Sequence, residues 1–98
     1  MGVVYLIHFD EPLAHSSHYI GFTKRDSPKR RLAHHRANHG ARILQVLNEK
    51  GIGYHVVRVW RGVGRDFERR LKKRHGAAGD CPCCRPELKK YKYRLWRH

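Results

Sequence analysis

Acidic side chains are scarce in this chain: eight Asp and Glu stand against 22 Lys and Arg, so the formal charge is 22 − 8 = +14 before any of the nine histidines protonates. An excess of that size repels itself within a folded domain, and a polyanionic partner relieves the repulsion. Nucleic acid is the first expectation, because each phosphate neutralised by Lys or Arg releases condensed counterions. A soluble protein kept dispersed by its charge, or a ribosome-associated protein without chemistry, has the same balance.

Long apolar runs are missing too. Nothing approaches the ~20 residues that a membrane helix requires. The first residues also lack the basic start, apolar middle and small-residue cleavage site of a secretory signal. No membrane partner and a cytoplasmic location are therefore expected. Cysteine is sparse, and the three present are crowded at Cys81, Cys83 and Cys84; an odd, clustered set is no disulfide framework and agrees with a reducing compartment. With 98 residues there is room for one domain with a modest core, and none for a separate targeting or recognition module.

What is present has a readable order. Residues 3–9 are apolar except for His8, too short a run for a helix and rich in β-branched and aromatic types. That predicts a central strand covered on both faces. Residues 10–17, with Pro12 and two serines, read as a loop, and residues 18–22 as a second strand returning antiparallel. Ser27-Pro28 is a helix start, for a helix running to about Asn38 with Gly40 able to stop it. Ile43, Leu44 and Leu47 lie at helical spacing within 41–50, and Gly51-Ile52-Gly53 ends that helix.

Residues 54–60 alternate and are rich in Val, predicting a third strand, with Gly62-Val63-Gly64 as a turn. Val63, Phe67 and Leu71 then form the i, i+4, i+8 stripe of a third helix that ends near Gly76. The expected fold is α+β: a small three-stranded antiparallel sheet flanked by about three helices in the order β-β-α-α-β-α. Residues 1–76 would make the domain, and 77–98 a Cys-Pro turn and a basic aromatic tail packed on it or trailing from it.

Several polar residues invite a functional reading. Arg31 and His35, four apart, sit one turn above each other on a helix and can address the same phosphate. Lys29, Arg30 and Arg31 occupy the first turn, where the helix dipole disfavours cations by roughly 0.3–1 kcal/mol each, so something other than helix stability uses them. Tyr5 and Tyr19 alone could be half-buried strand aromatics, and Glu68 alone an i,i+4 partner of Lys72.

Taken together and in order, these residues resemble the GIY-YIG endonuclease domain. Val3-Val4-Tyr5 stands where that family has Gly-Ile-Tyr, and Tyr19-Ile20-Gly21 matches the second half directly. Arg31-Leu32 with His35 resembles the family's Arg-Leu-x-x-His helix, and Glu68 stands where its metal-binding Glu is expected. Glu68-Arg69-Arg70-Leu71-Lys72 followed by Cys81-Pro82-Cys83-Cys84 is similar to small stand-alone members.

The resemblance implies metal-dependent hydrolysis of nucleic acid, DNA first. Arg31 would accept charge at the phosphoryl oxygens, and Glu68 would hold Mg²⁺ or Mn²⁺. Tyr19 would act as general base or water-orienting group with Tyr5 beside it, a positive surround favouring phenolate. His35 would orient a tyrosine or touch the scissile phosphate. Lys24, Lys29, Arg30, Arg70, Lys72 and Lys73 would contact phosphates, and Tyr91, Tyr93 and Trp96 could stack on bases. A non-catalytic basic nucleic-acid-binding protein on the same scaffold is the alternative. Specificity is left open between dimerisation, here a homodimer, a partner and DNA structure.

Cys81 and Cys84 form half of a zinc site, with His75 as a third candidate ligand for a structural Zn²⁺. Adjacent Cys83 and Cys84 would not easily share one ion. The other reading is reduced thiols in a turn held by Pro82 and Pro86.

Overall fold

A computed structural model describes residues 2–13, 16–24, 28–37, 41–74 and 77–91, with Lys29 and Ala78 as backbone only. Of the positions singled out above, Ser27, Asn38, Gly40, His75, Gly76, Tyr93 and Trp96 lie outside the described residues.

Three strands, β1 (Gly2–Leu13), β2 (Ser16–Thr23) and β3 (Tyr54–Val63), form one antiparallel sheet in the order β2-β1-β3. The first strand is central, as its unbroken apolar run requires: Val3, Val4, Tyr5, Leu6 and Ile7 are all buried. The sheet is longer than the sequence suggests. Residues 10–13 and 16–17, read as loop, are strand, because pairing extends to Leu13 opposite Ser16 after an irregularity beyond His8. Gly62 and Val63, read as turn, end β3; the register slips there, and Gly62 has φ +69°, the left-handed conformation a bulge glycine supplies.

The two faces carry separate cores. Tyr5, Ile7 and Phe9 project to one side and pack with Tyr54, Val56, Leu44 and Leu47. Val4 and Leu6 project to the other with Ile20, Val57, Leu71 and Cys81. The alternation follows from the period-two pleat.

Helix α1 (Lys29–Arg36) begins after Pro28, whose carbonyl accepts from the Leu32 amide at 2.8 Å. Helix α2 (Arg42–Lys50) buries Leu44 and Leu47 and stops at Gly51, φ +72°, where the Ile52 amide bonds the Leu47 carbonyl at 3.0 Å. Truncating either leucine to alanine would cost about 2–5 kcal/mol.

Helix α3 (Arg65–Lys73) covers the second face through Leu71 and Phe67, the latter 5.7 Å from the Trp60 ring. Val63 packs against the same core from the end of β3, two residues ahead of the helix rather than within it. Beyond the six expected elements come a one-turn helix α4 (Ala77–Asp80) and a 3-10 segment (Pro86–Tyr91). Cys81, fully buried, belongs to the second core, so the chain past residue 76 packs on the sheet at this point. No helix among the described residues is long and apolar enough to cross a membrane.

Candidate functional site: a phenol, guanidinium and carboxylate cluster at the outer strand, and a second donor cluster

Tyr5 lies opposite Gly21 in the β1–β2 register. Its ring covers the glycine so closely that an added Cβ would stand 2.3 Å from Tyr5 Cζ. That close approach is the physical reason for glycine at this position. The neighbouring strand residue, Tyr19, shares the face: its ring centroid is 6.5 Å from that of Tyr5 and 5.7 Å from that of His35.

His35, on the inner side of α1, is fully buried. Its Nδ1 accepts the Ala41 backbone N–H at 3.3 Å. A backbone amide can only donate, so the neutral imidazole carries its proton on Nε2, and Nε2–H donates to the Tyr5 hydroxyl at 3.1 Å. The Arg31 guanidinium also hydrogen-bonds that oxygen. Tyr5 Oη thus accepts from two donors, leaving its own proton for a further partner. Of the two roles open to His35, orienting a tyrosine is the one the geometry provides; complete burial keeps it from a substrate.

Burial pushes the Tyr5 phenol above its ordinary value, against the opposing pull of Arg31; burial likewise pushes Tyr19 up, with Arg31 opposing. The expected phenolate is therefore corrected. Loss of hydration outweighs the positive surround, and both hydroxyls are protonated at neutral pH. Burial first, then the Arg31 charge and His34, lowers the His35 pKa from 6.5 to about 4.

Glu68 comes from α3 on the opposite face, yet its charge acts on Tyr5, Tyr19 and Arg31. Because β2 is an outer strand, side chains of α3 can reach round its edge. Lys72 does so, its Nζ lying 5.8 Å from the centre of the Tyr19 ring and 3.2 Å from Glu68 Oε2. Glu68 is 8 % exposed. Arg31 Nε is buried with no hydrogen-bond partner among the described residues.

Of the basic residues expected to contact phosphates, Arg30 lines a small cleft with Thr23, Arg31 and His34. Lys24, Arg70 and Lys73 are exposed, and Arg70 lies 6.0 Å from the Phe67 ring centre. Lys72 is engaged with Glu68 and Tyr19 instead of standing clear. Tyr91 is exposed and faces Arg58, whose guanidinium is 4.6 Å from the Tyr91 and Trp60 ring centres.

A second cluster was only half visible in the sequence. His8, His18, Cys81 and Cys84 bring four donor atoms within 4.8 Å of one another, a set that could hold a metal ion. None of the cysteines is in a disulfide. Burial pushes the Cys81 thiol up, opposed by hydrogen bonds from the backbone N–H groups of Cys84 and Cys83 to its sulfur. Burial, then His8, pushes the His18 imidazole down. The signal for the histidines was their placement on two consecutive strands, His8 in the first and His18 in the second.

No family model, no curated protein and no solved structure matches this chain.

Proposed function

We propose that the protein is a metal-dependent endonuclease of GIY-YIG type, hydrolysing nucleic-acid phosphodiester bonds and DNA in the first place. The observation that supports this best is the meeting of Tyr5, Tyr19, Arg31, His35 and Glu68. Residues far apart in sequence and carried by four elements share one edge of the sheet, with Arg31 bonded to Tyr5 and the Glu68 charge acting on both tyrosines and on Arg31.

Each residue type suits part of the chemistry. In-line attack on a phosphodiester builds negative charge on the phosphoryl oxygens, and Arg31 is permanently charged with a planar fork of donors. Its unsatisfied Nε costs about 1–3 kcal/mol while unpaired, and a phosphate oxygen is the acceptor that would relieve it. His35 and Arg31 fix the Tyr5 oxygen, so the Tyr5 proton is free to hydrogen-bond into the site. Half-buried Tyr19 would orient a water.

Glu68 fits a divalent cation: it is a mostly buried carboxylate whose charge acts on Arg31, and Mg²⁺ takes one or two carboxylates and fills its remaining positions with water and substrate oxygens. Glu68 is not part of a cluster of three or more donor side chains among the described residues, so water and substrate would complete the shell. When bound, Mg²⁺ or Mn²⁺ would neutralise phosphoryl charge and acidify a water.

The second reading, a basic nucleic-acid-binding protein without catalysis, is favoured by one observation: Glu68 already pairs with Lys72 at 3.2 Å. Phosphate contacts need no carboxylate, so the two readings part at this residue. Circular plasmid and single-stranded DNA would be incubated with Mg²⁺ or Mn²⁺ and with wild type, Glu68→Gln or Arg31→Ala, and DNA binding followed in the same samples. Metal-dependent cutting lost in both variants, with Glu68→Gln still binding, supports the nuclease. Salt-sensitive binding without cutting by any of the three gives the binding protein.

A further inference from the structure

We propose that His8, His18, Cys81 and Cys84 bind one zinc ion, which ties the segment after α4 to the β1–β2 strand pair. The inference is independent of the nuclease reading: a protein that cuts nothing could carry the same ion.

Four of the six donor–donor distances lie close to those of a tetrahedral centre. With Zn–N near 2.05 Å and Zn–S near 2.3 Å, tetrahedral angles place two nitrogens about 3.3 Å apart and a nitrogen and a sulfur about 3.6 Å apart. Here His8 Nδ1 and His18 Nε2 are 3.2 Å apart. Cys81 Sγ is 3.5 Å from His8 Nδ1, and Cys84 Sγ is 3.9 Å from His8 Nδ1 and 3.5 Å from His18 Nε2. Hydrogen bonding alone accounts poorly for this arrangement. His8 Nδ1 has three close neighbours, whereas an imidazole nitrogen offers one proton or one lone pair. A central cation uses the lone pair of every donor at once.

Local structure supports each ligand. His8 and His18 are a cross-strand pair, so the pleat sends both to the face covered by α3, where Cys81 is buried. The Cys81 carbonyl accepts the amides of Cys84 at 3.1 Å and Arg85 at 2.9 Å, a tight turn that brings Cys84 back beside Cys81. The backbone N–H groups directed at Cys81 Sγ are the kind of outer-shell donor that favours a metal-bound thiolate. Cys83, exposed between them, is not one of the four, which bears on the geometric conflict between adjacent cysteines. Two nitrogens, two sulfurs and no remaining open position describe a structural zinc centre, and two thiolates balance the ion's charge.

The segment also has reason to need such a tie. None of the 3-10 residues Pro86–Tyr91 is buried, so apolar packing within that 3-10 segment contributes little. The ligand set differs from the one expected from sequence: Cys81 and Cys84 stand, the other two donors are strand histidines, and His75 lies outside the described residues.

The test uses the full chain, purified reduced and supplied with Zn²⁺, as wild type, Cys83→Ser and Cys84→Ser, with metal content by mass spectrometry and affinity by chelator competition. One zinc per chain is expected in wild type and Cys83→Ser, and at least a ~100-fold weaker affinity in Cys84→Ser, since outer-shell changes alone cost 10–100-fold. Wild type loaded with Co²⁺ should show thiolate charge-transfer absorption and the intense visible bands of a four-coordinate S₂N₂ site. That spectrum remains decisive if Cys84→Ser does not fold. Wild type without stoichiometric zinc, a Cys84→Ser affinity equal to wild type, or a six-coordinate Co²⁺ spectrum without charge transfer would overturn the site.

Discussion

The Tyr5 ring lies across Gly21, so close that one methyl group on that glycine would stand 2.3 Å from Cζ and 2.4 Å from the hydroxyl oxygen. The hydroxyl held in this way is the one to which His35 and Arg31 both donate. A strand glycine thus sets the position of the phenol that His35 and Arg31 hold.

Gly21→Ala should therefore displace Tyr5 rather than be absorbed, because the ring is fully buried. Overpacking of this kind costs about 1–3 kcal/mol, and cleavage should fall with it. Urea unfolding measures the first effect and plasmid nicking the second. A variant as stable and as active as wild type would show that Tyr5 can move freely, contrary to its packing.

Tyr5→Phe keeps the ring and removes the acceptor. His35 Nε2–H then loses its partner, a buried unsatisfied donor costing about 1–3 kcal/mol. Tyr19→Phe, at a half-buried hydroxyl, should cost less stability while reducing cleavage. Equal losses of stability in the two variants would contradict the hydrogen-bond assignment.

Acid should destabilise the protein through His35. Its folded-state pKa is lowered from 6.5 to about 4 by burial, then by Arg31 and His34. Between those values the unfolded chain binds the proton that the folded one refuses. The His35 contribution is present above about pH 6.5 and is lost as the pH falls towards 4. The full effect is roughly 3 kcal/mol. His35→Gln should flatten this part of the pH profile of the urea midpoint, and the difference from wild type isolates His35 from the other histidines. Parallel profiles would exclude it.

Arg31→Lys keeps the charge but not the fork. One ammonium cannot hold Tyr5 and receive a phosphate oxygen in the same geometry, so cleavage should drop by about 100-fold or more while DNA affinity changes little. Steady-state nicking beside a filter-binding titration separates the two effects.

Arg30 is exposed on the cleft that it shares with Arg31 and His34. Arg30→Ala should weaken DNA binding uniformly across sequences. It should also reduce the slope of log affinity against log salt by about one phosphate contact, near 0.9. An unchanged slope would place the phosphate path elsewhere on the +14 surface.

Local pattern was enough for much of this protein. The apolar run of β1 called for a central strand, the Leu44 and Leu47 spacing for α2, and Gly51 for its end. These readings hold because pleat, helical period and left-handed glycine are properties of a few neighbouring residues. The order of Tyr5, Tyr19, Arg31, His35 and Glu68 could be quoted from the chain for the same reason.

Tertiary structure settled what depends on pairing and burial. Register puts Gly21 under Tyr5 and His8 beside His18, and a slip of one residue would send each side chain to the other face. Burial outweighs the positive charge at the tyrosines, because desolvation depends on packing and not on composition. Cys81 and Cys84 reveal half of a donor set in sequence; the histidines that complete it lie more than sixty positions earlier, and only folding of the C-terminal turn onto the β1–β2 pair brings the four atoms together.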